Sequence, residues 1–319
     1  MQNLSLKYKC SFLLLILFIE VSILHAQTGC TDRTAINYNA KALQNDGSCA
    51  YDSIRISPTF KSFLAKEISE SSGIIFSDGK LWTHNDAGNS SAIFSVDSAT
   101  GKTLQTVYID NHKNIDWEDI TADEKYIYVC DCGNNKGSRT DLKILKIDQS
   151  KIGNDSIVHL QADAISFSYT DQNSFVESKN HNFDCESMIS IEDSLYIFTK
   201  DREDLQTRVY RIPKTSGNYT ISPYTCFNIN GLITGAAYDP YKKELVLIGY
   251  LKGHINSFLW VLSDFKDHLF FSGNKKRIEI GNGNEWQTEG LCYCKNGNFF
   301  ISNEKSKKIA SSLYQIQIK

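Results

Sequence analysis

Several things are scarce in this chain. Proline occurs four times in 319 residues and methionine twice, and neither sign of charge dominates, with 34 Lys and Arg against 37 Asp and Glu. So little proline excludes a fibrous or proline-rich chain, and the near balance of charge argues against nucleic-acid binding, which needs a basic surplus. Beyond the N-terminus no apolar run approaches the roughly 18 residues of a membrane span. The histidines His112, His181, His254 and His268 lack metal-ligand spacing, so nothing supports a zinc site. There is no CxxC, no GxSxG, no Walker loop and no dinucleotide glycine signature. What is abundant is tyrosine, phenylalanine and glycine, at 16, 17 and 19 residues, the composition of a β protein.

Residues 1–26 read as a secretory signal. Lys7 and Lys9 precede an apolar run from Phe12 to Leu24, and Ala26 offers a small residue for cleavage. The run is too short to anchor the chain comfortably and contains Glu20. Eight of the nine cysteines then remain in the mature chain, an even number in an oxidising compartment. The expectation is a secreted protein, periplasmic or extracellular, with no membrane span after cleavage.

Residues 27–52 form a separate small module. Cys30 and Cys49 bracket a stretch rich in Asp, Asn and Gly, too short for a core and so expected to be closed by a disulfide. Asp32, Asn37, Asn39 and Asp46 could supply oxygen ligands to Ca²⁺, or could simply make turns. The stretch GCTD…NYN…DGSC resembles a short cysteine repeat of secreted Bacteroidetes proteins, a resemblance that implies a bacterial surface or secreted protein.

The remaining residues, 53–319, repeat. Five units share a short strand of small residues, a polar turn, an apolar second strand and an alternating third strand. A more polar β run follows in four units, at Thr103–Ile109, Ala164–Tyr169, Tyr224–Ile229 and Lys275–Ile280. Anchors at Ser72, Glu118, Glu186, Thr234 and Glu289 are spaced by 46, 68, 48 and 55 residues. Four-stranded units at this period predict an all-β propeller. Five blades fit the length, and the 68-residue interval leaves room for a sixth. The last unit ends after its third strand, so an N-terminal strand, Ser53–Thr59 or Phe63–Ile68, is expected to complete it. The WTHND, DWED…GNN, TGAAYD, LIGY and EGL…SNE stretches resemble secreted bacterial propellers, loosely phytase-like and gluconolactonase-like. That resemblance implies the fold far more than an activity.

In a propeller, first-strand starts and second-strand ends converge at one mouth of the central channel. The first-strand column places Glu118, Glu186 and Glu289 around one axis. Like charges that close call for a cation, and oxygen ligands favour Ca²⁺; the hydroxyls of Ser72 and Thr234 are expected to complete the ring through water. Alternatively, the carboxylates stitch neighbouring blades by accepting backbone N–H groups. Asn85, Asp131 and Asn303 end second strands, and Asp86, Lys200, Tyr250 and Glu304 lie one residue further on. Asp116 and Asp184 flank the first-strand starts, and Arg202, Arg139 and His84 are further candidates for the same mouth. Of the remaining cysteines, Cys132 and Cys185 fall at this mouth in adjacent blades and are the first choice for a bridge among 105 connectivities.

These residues suit a monomeric binding or scaffold propeller that takes a small molecule, glycan or protein at an acidic, Ca²⁺-binding mouth. Whether it is an enzyme is left open. The alternatives are a metal-dependent hydrolase of a phosphoester or lactone, with Lys200, Arg202 and Arg139 clamping an anion, or a glycosidase working through two carboxylates.

Overall fold

The computed structural model describes residues 27–281, 286–295 and 297–318; the expected signal segment, 1–26, lies outside them. The chain forms a five-bladed propeller with almost no helix, a single 3₁₀ turn at Gln149–Lys151. The innermost strands are Ser71–Ser77, Trp117–Ala122, Cys185–Ile191, Leu232–Asp239 and Thr288–Lys295. Each packs on the next, and the fifth returns to the first.

The second strands show why the sequence folds this way. Tyr126–Asp131 and Ser194–Thr199 are apolar without alternation, because both faces of every blade are covered. Ile127 and Val129 face the seam between blades one and two, while Tyr128 and Cys130 face the seam between blades two and three. Leu195 and Ile197 likewise face one neighbour, and Tyr196 and Phe198 the other. Five apolar clusters result, one at each seam. Each fully buried Leu, Ile or Phe contributes about 1.5–3 kcal/mol, so stability is spread evenly round the ring.

Closure comes from the N-terminus. Blade five has three strands from the C-terminal end of the chain, and Thr59–Phe63 pairs antiparallel with the last of them, Ser312–Gln317. The closing strand thus lies between the two segments expected for it. The earlier one contributes elsewhere: Ile54–Arg55 adds a parallel strand to the outer edge of blade four. Blades one and two are widened in the same way by Ile157–Leu160 and Gly217–Ile221. The first of these accounts for part of the long interval between units two and three, where a sixth blade had room. All four expected fourth strands are present, as Thr103–Ile109, Asp163–Tyr169, Pro223–Asn228 and Asn274–Glu279.

Residues 27–51 form a lobe closed by the Cys30–Cys49 disulfide. It rests on blade four, where Asn45 Nδ2 donates to Asp264 (2.7 Å) and to Asn274 (2.8 Å), and Lys275 Nζ to the Gly47 carbonyl (2.9 Å). Its oxygen side chains serve local turns. Asp32 accepts from the Thr34 N–H and the Tyr51 hydroxyl, Asn37 from Ala50, Asn39 from Lys41 and Asp46 from Ser48. These hydrogen bonds are those that the turn-forming account of these residues expects.

Candidate functional site

The site is built by a defect repeated five times. In every blade the register between first and second strands slips near the start of the first strand. The slips fall between Ser71 and Ile74, opposite Trp117 to Asp119, between Cys185 and Ser187, between Ile233 and Gly235, and between Thr288 and Leu291. The unpaired residues include Ser72, Glu118, Glu186, Thr234 and Glu289, the very column that repeats in the sequence. A β-bulge re-aims the extra side chain out of the normal alternation. Here it allows side chains of a buried central strand to reach the channel or the adjacent blade.

The column divides by chemistry. Ser72 Oγ donates to the Glu118 carbonyl (2.8 Å) and Thr234 Oγ1 to the Thr288 carbonyl (2.6 Å). The hydroxyls therefore tie blade one to blade two and blade four to blade five, and Thr234 in addition lies close enough to the Glu289 carboxylate to lower its pKa. The three glutamates line a cavity of about 470 Å³. They do not meet as one triad. Glu118 and Glu186 belong to adjacent blades and approach each other together with Asp184. Glu289 sits on blade five, separated from them on one side by the serine blade and on the other by the threonine blade, and takes a hydrogen bond from Tyr250 OH (3.3 Å). Stitching by a carboxylate does occur, but at the next residue: Asp119 accepts from Met188 N–H (2.7 Å) across the seam.

The two second-strand columns also separate. Asp86, Lys200, Tyr250 and Glu304 line the cavity, as does Arg202. Asn85, Asp131 and Asn303 do not, because side chains alternate along a strand and theirs are spent on the surrounding loops. Asn85 binds the Glu70 N–H (3.0 Å) and Glu67 carbonyl (2.8 Å). Asp131 accepts from Arg139 (3.1 Å) and Lys143 (3.3 Å), which removes Arg139 from the cavity too. Asn303 donates to Glu304 and Ala310 carbonyls. His84 is buried beside Trp117 and bonded to the Asn85 carbonyl, a structural part. Residues that the repeat could not reveal complete the lining: Gln287, which donates to Glu304 (3.2 Å), and Asn135, Lys252 and His254 from loops of unequal length.

Carboxylates outnumber cations here. Lys200 Nζ lies 2.9 Å from Glu186, and Arg202 pairs with Asp184, with Asn135 (2.8 Å) behind it. Burial disfavours the Lys200 charge, but Glu186, Tyr250 and Glu289 together outweigh it and hold the ammonium well above its ordinary pKa. Asp184, pushed up by burial, is brought below its ordinary value by Arg202 and Lys200. Asp86, Asp116, Glu118, Glu289 and Glu304 make no ion pair among the described residues, although Lys200 acts at longer range on Asp86, Glu289 and Glu304, and Arg139 on Asp116. Burial, then the Glu186 and Asp86 charges, raise Glu118 well above the carboxylate range. Burial with Asp86 and Asp184 lifts Asp116 to about 7, and burial with Glu289 and Asp86 lifts Glu304 to about 9. Glu289 also reaches about 7.

Two sets of three carboxylates have oxygens within 4.8 Å of one another: Asp86, Asp116 and Glu118, and Glu118, Asp184 and Glu186. Glu118 belongs to both and makes no hydrogen bond through its carboxylate among the described residues, although only 5% exposed. Gly133 permits this packing, since a Cβ there would collide with the carboxylates of Glu118 and Asp116.

The disulfide near this mouth differs from expectation. Cys132 is bonded to Cys130, two residues back in the same chain segment, and Cys185 retains a thiol. The spacing argument placed Cys132 and Cys185 correctly side by side, with sulfurs 3.1 Å apart, but a closer competitor takes the bond.

Fold and mouth together define a five-bladed β-propeller with a polar, predominantly acidic opening. No protein-family model matches the chain, and no curated protein sequence does. Among solved structures the chain is similar in fold to an aldose sugar dehydrogenase in its PQQ-bound form from Streptomyces coelicolor, at 10% identity over 82% of this chain and 98% of that one, with a TM-score of 0.49. It is also similar to a GH43_1 enzyme from Xanthomonas citri, at 10% identity over 81% and 89%, TM-score 0.47. A third is a 6-phosphogluconolactonase-like protein from Bacteroides uniformis, at 14% identity over 81% and 70%, TM-score 0.39.

Proposed function

We propose that this is a secreted binding propeller whose acidic mouth holds Ca²⁺ and presents it to a ligand bearing oxygen donors, a small molecule, a glycan or a protein loop. The observation that carries this reading is Glu118: a buried carboxylate without a hydrogen-bond partner among the described residues, shared by two carboxylate clusters. A buried anion is normally paired or metal-bound. Asp86, Asp116 and Glu118 are the better seat, because among the described residues no Lys or Arg is ion-paired with that set, whereas Asp184 and Glu186 are already matched by Arg202 and Lys200. Three carboxylates leave coordination positions for waters or ligand oxygens around an ion that takes six to eight. Glu289 and Glu304, across the cavity, would face the bound ligand. Two disulfides, Cys30–Cys49 and Cys130–Cys132, suit an oxidising compartment.

The hydrolase alternative needs a free cationic clamp for an anion. Lys200 and Arg202 are each engaged by a carboxylate, which leaves Lys179 and Lys252 of the cavity lining for that role; the hydrolase reading stays the alternative.

The test is thermal unfolding with chelator and with Ca²⁺, in the wild type and in Glu118→Gln. Binding to the folded state alone stabilises by about 2.7 kcal/mol when the ion is at 100 times its Kd. The wild type should gain that stability, and Glu118→Gln should lose the gain while remaining folded. Equal melting temperatures of the wild type in Ca²⁺ and in chelator would remove the proposed ion.

A further inference from the structure

Behind the acidic mouth, in the seam between blades two and three, three sulfurs share one buried pocket. Cys130 and Cys132 are disulfide-bonded. The Cys185 thiol lies 3.1 Å from Cys132 Sγ and 3.7 Å from Cys130 Sγ. All three residues are fully buried, among Tyr128, Tyr169 and Met188. No solvent thiol reaches them, so the reaction open to the free thiol is with the disulfide beside it.

We propose that these three cysteines are a thiol–disulfide exchange site, in which the bond moves between Cys130–Cys132 within blade two and Cys132–Cys185 across the seam. The step balances without any oxidant or reductant. Cys185 must first give up its proton, which burial and the Asp184 and Glu186 charges oppose; its thiolate attacks Cys132 Sγ, and the Cys132–Cys185 bond forms as the Cys130–Cys132 bond breaks. Cys130 leaves as thiolate and takes up the proton that Cys185 gave up. Exchange of this kind passes a bond from sulfur to sulfur by direct attack of a thiolate on the disulfide. Cys132 is the sulfur attacked because it is the nearer and because it sits at the end of its strand, where Tyr126–Asp131 has stopped pairing. Cys130 is inside that strand, paired with Ile144 and Asp119. The three sulfurs form a triangle and not the line that displacement requires, so the Cys132 side chain must rotate before the bond transfers.

The two pairings have different mechanical consequences. Cys130–Cys132 closes a short loop inside one blade and leaves the seam without a covalent link, held by packing and by hydrogen bonds such as Met188 N–H to Asp119. Cys132–Cys185 fastens blade two to blade three directly beneath the mouth, since Gly133 packs on Asp116 and Glu118 and Cys185 stands between Asp184 and Glu186 in the chain. The exchange itself does not require an ion at that mouth, so it stands or falls separately from the proposed Ca²⁺ site.

Disulfide mapping tests it. The full chain is incubated at mildly alkaline pH, quenched in acid, denatured, alkylated under acid conditions and digested for mass spectrometry. Exchange gives two populations: Cys130–Cys132 with Cys185 alkylated, and Cys132–Cys185 with Cys130 alkylated. Any single pairing after long incubation, whichever it is, overturns the proposal. Cys130→Ser provides an independent check. Refolded in a glutathione redox buffer, it should trap Cys132–Cys185 in full, whereas two free thiols in the folded variant would also overturn the exchange.

Discussion

The two ends of the same five inner strands are chemically opposite. At their starts they present Ser72, Glu118, Glu186, Thr234 and Glu289. At their ends Phe76, Ala122, Ile191, Tyr238 and Tyr293 line a second opening of about 490 Å³. Backbone, blade number and radial position are shared, so none of these explains the contrast. The register does. All five strands slip at the acidic end, whereas at the other end four continue in regular pairing and only the fifth slips again, between Tyr293 and Lys295. Regular pairing keeps side chains in the alternation that fills the seams; the slip frees one or two first-strand residues per blade from that duty. A symmetric scaffold thus acquires a distinctive mouth through one recurrent irregularity, and charge is concentrated where it occurs, with Glu192 at the opposite opening.

The largest expected effect comes from unbalancing that mouth. Lys200 is the cation closest to Glu186, with Arg202 farther away at 3.8 Å. Lys200→Met leaves a buried carboxylate facing its neighbours, and breaking a buried pair in this way costs about 3–5 kcal/mol. Chemical denaturation in chelator should show that loss, and added Ca²⁺ should recover much of it by taking over the neutralising role. A variant as stable as the wild type in chelator would mean that the acidic end is not held together by charge at all, and the contrast between the ends would reduce to shape.

The pH dependence should be smaller and has a definite sign. Asp116 and Glu289 titrate near 7 in the folded chain and Glu304 near 9, against ordinary values of 3.8, 4.5 and 4.5. Between those limits the folded state binds protons that the unfolded state has released. Their contribution to stability is complete below pH ~4 and is lost as pH rises through 7 toward 9. Without metal, melting temperature should therefore fall from pH 5 to 9; with Ca²⁺ the fall should flatten, because the ion replaces the protons. Identical slopes in chelator and in Ca²⁺ would separate the carboxyl titration from ion binding.

The fold was open to sequence reading because its signals are repeated. Second strands such as Tyr126–Asp131 must be apolar on both faces, and the seams enforce this five times over. The column of Ser72, Glu118, Glu186, Thr234 and Glu289 stood out for the same reason. Its division was hidden, because a shared register does not say which side chains point along the axis and which reach the next blade; Ser72 and Thr234 do the latter. Asn85, Asp131 and Asn303 look like site residues by position, but their hydrogen bonds go to loops of each blade that repeat in neither length nor sequence. Gln287 and Asn135 were missed because they belong to those loops. The cysteines show the limit most clearly: spacing brought Cys132 to Cys185, yet Cys130, two residues away, takes the bond.

The smallest expected effect is the sharpest check on the contrast. Phe76 lies at the apolar opening and is 41% exposed, so Phe76→Ser should change stability by no more than about 0.5 kcal/mol, as surface substitutions away from special features do. It leaves the first-strand slip between Ser71 and Ile74 untouched and sits on blade one, which contributes no column carboxylate to the mouth. Calorimetric titration with Ca²⁺ should then give the wild-type affinity. If the substitution weakens ion binding instead, the inner strand transmits from one end to the other, and the bulges do not isolate the acidic mouth from the apolar one.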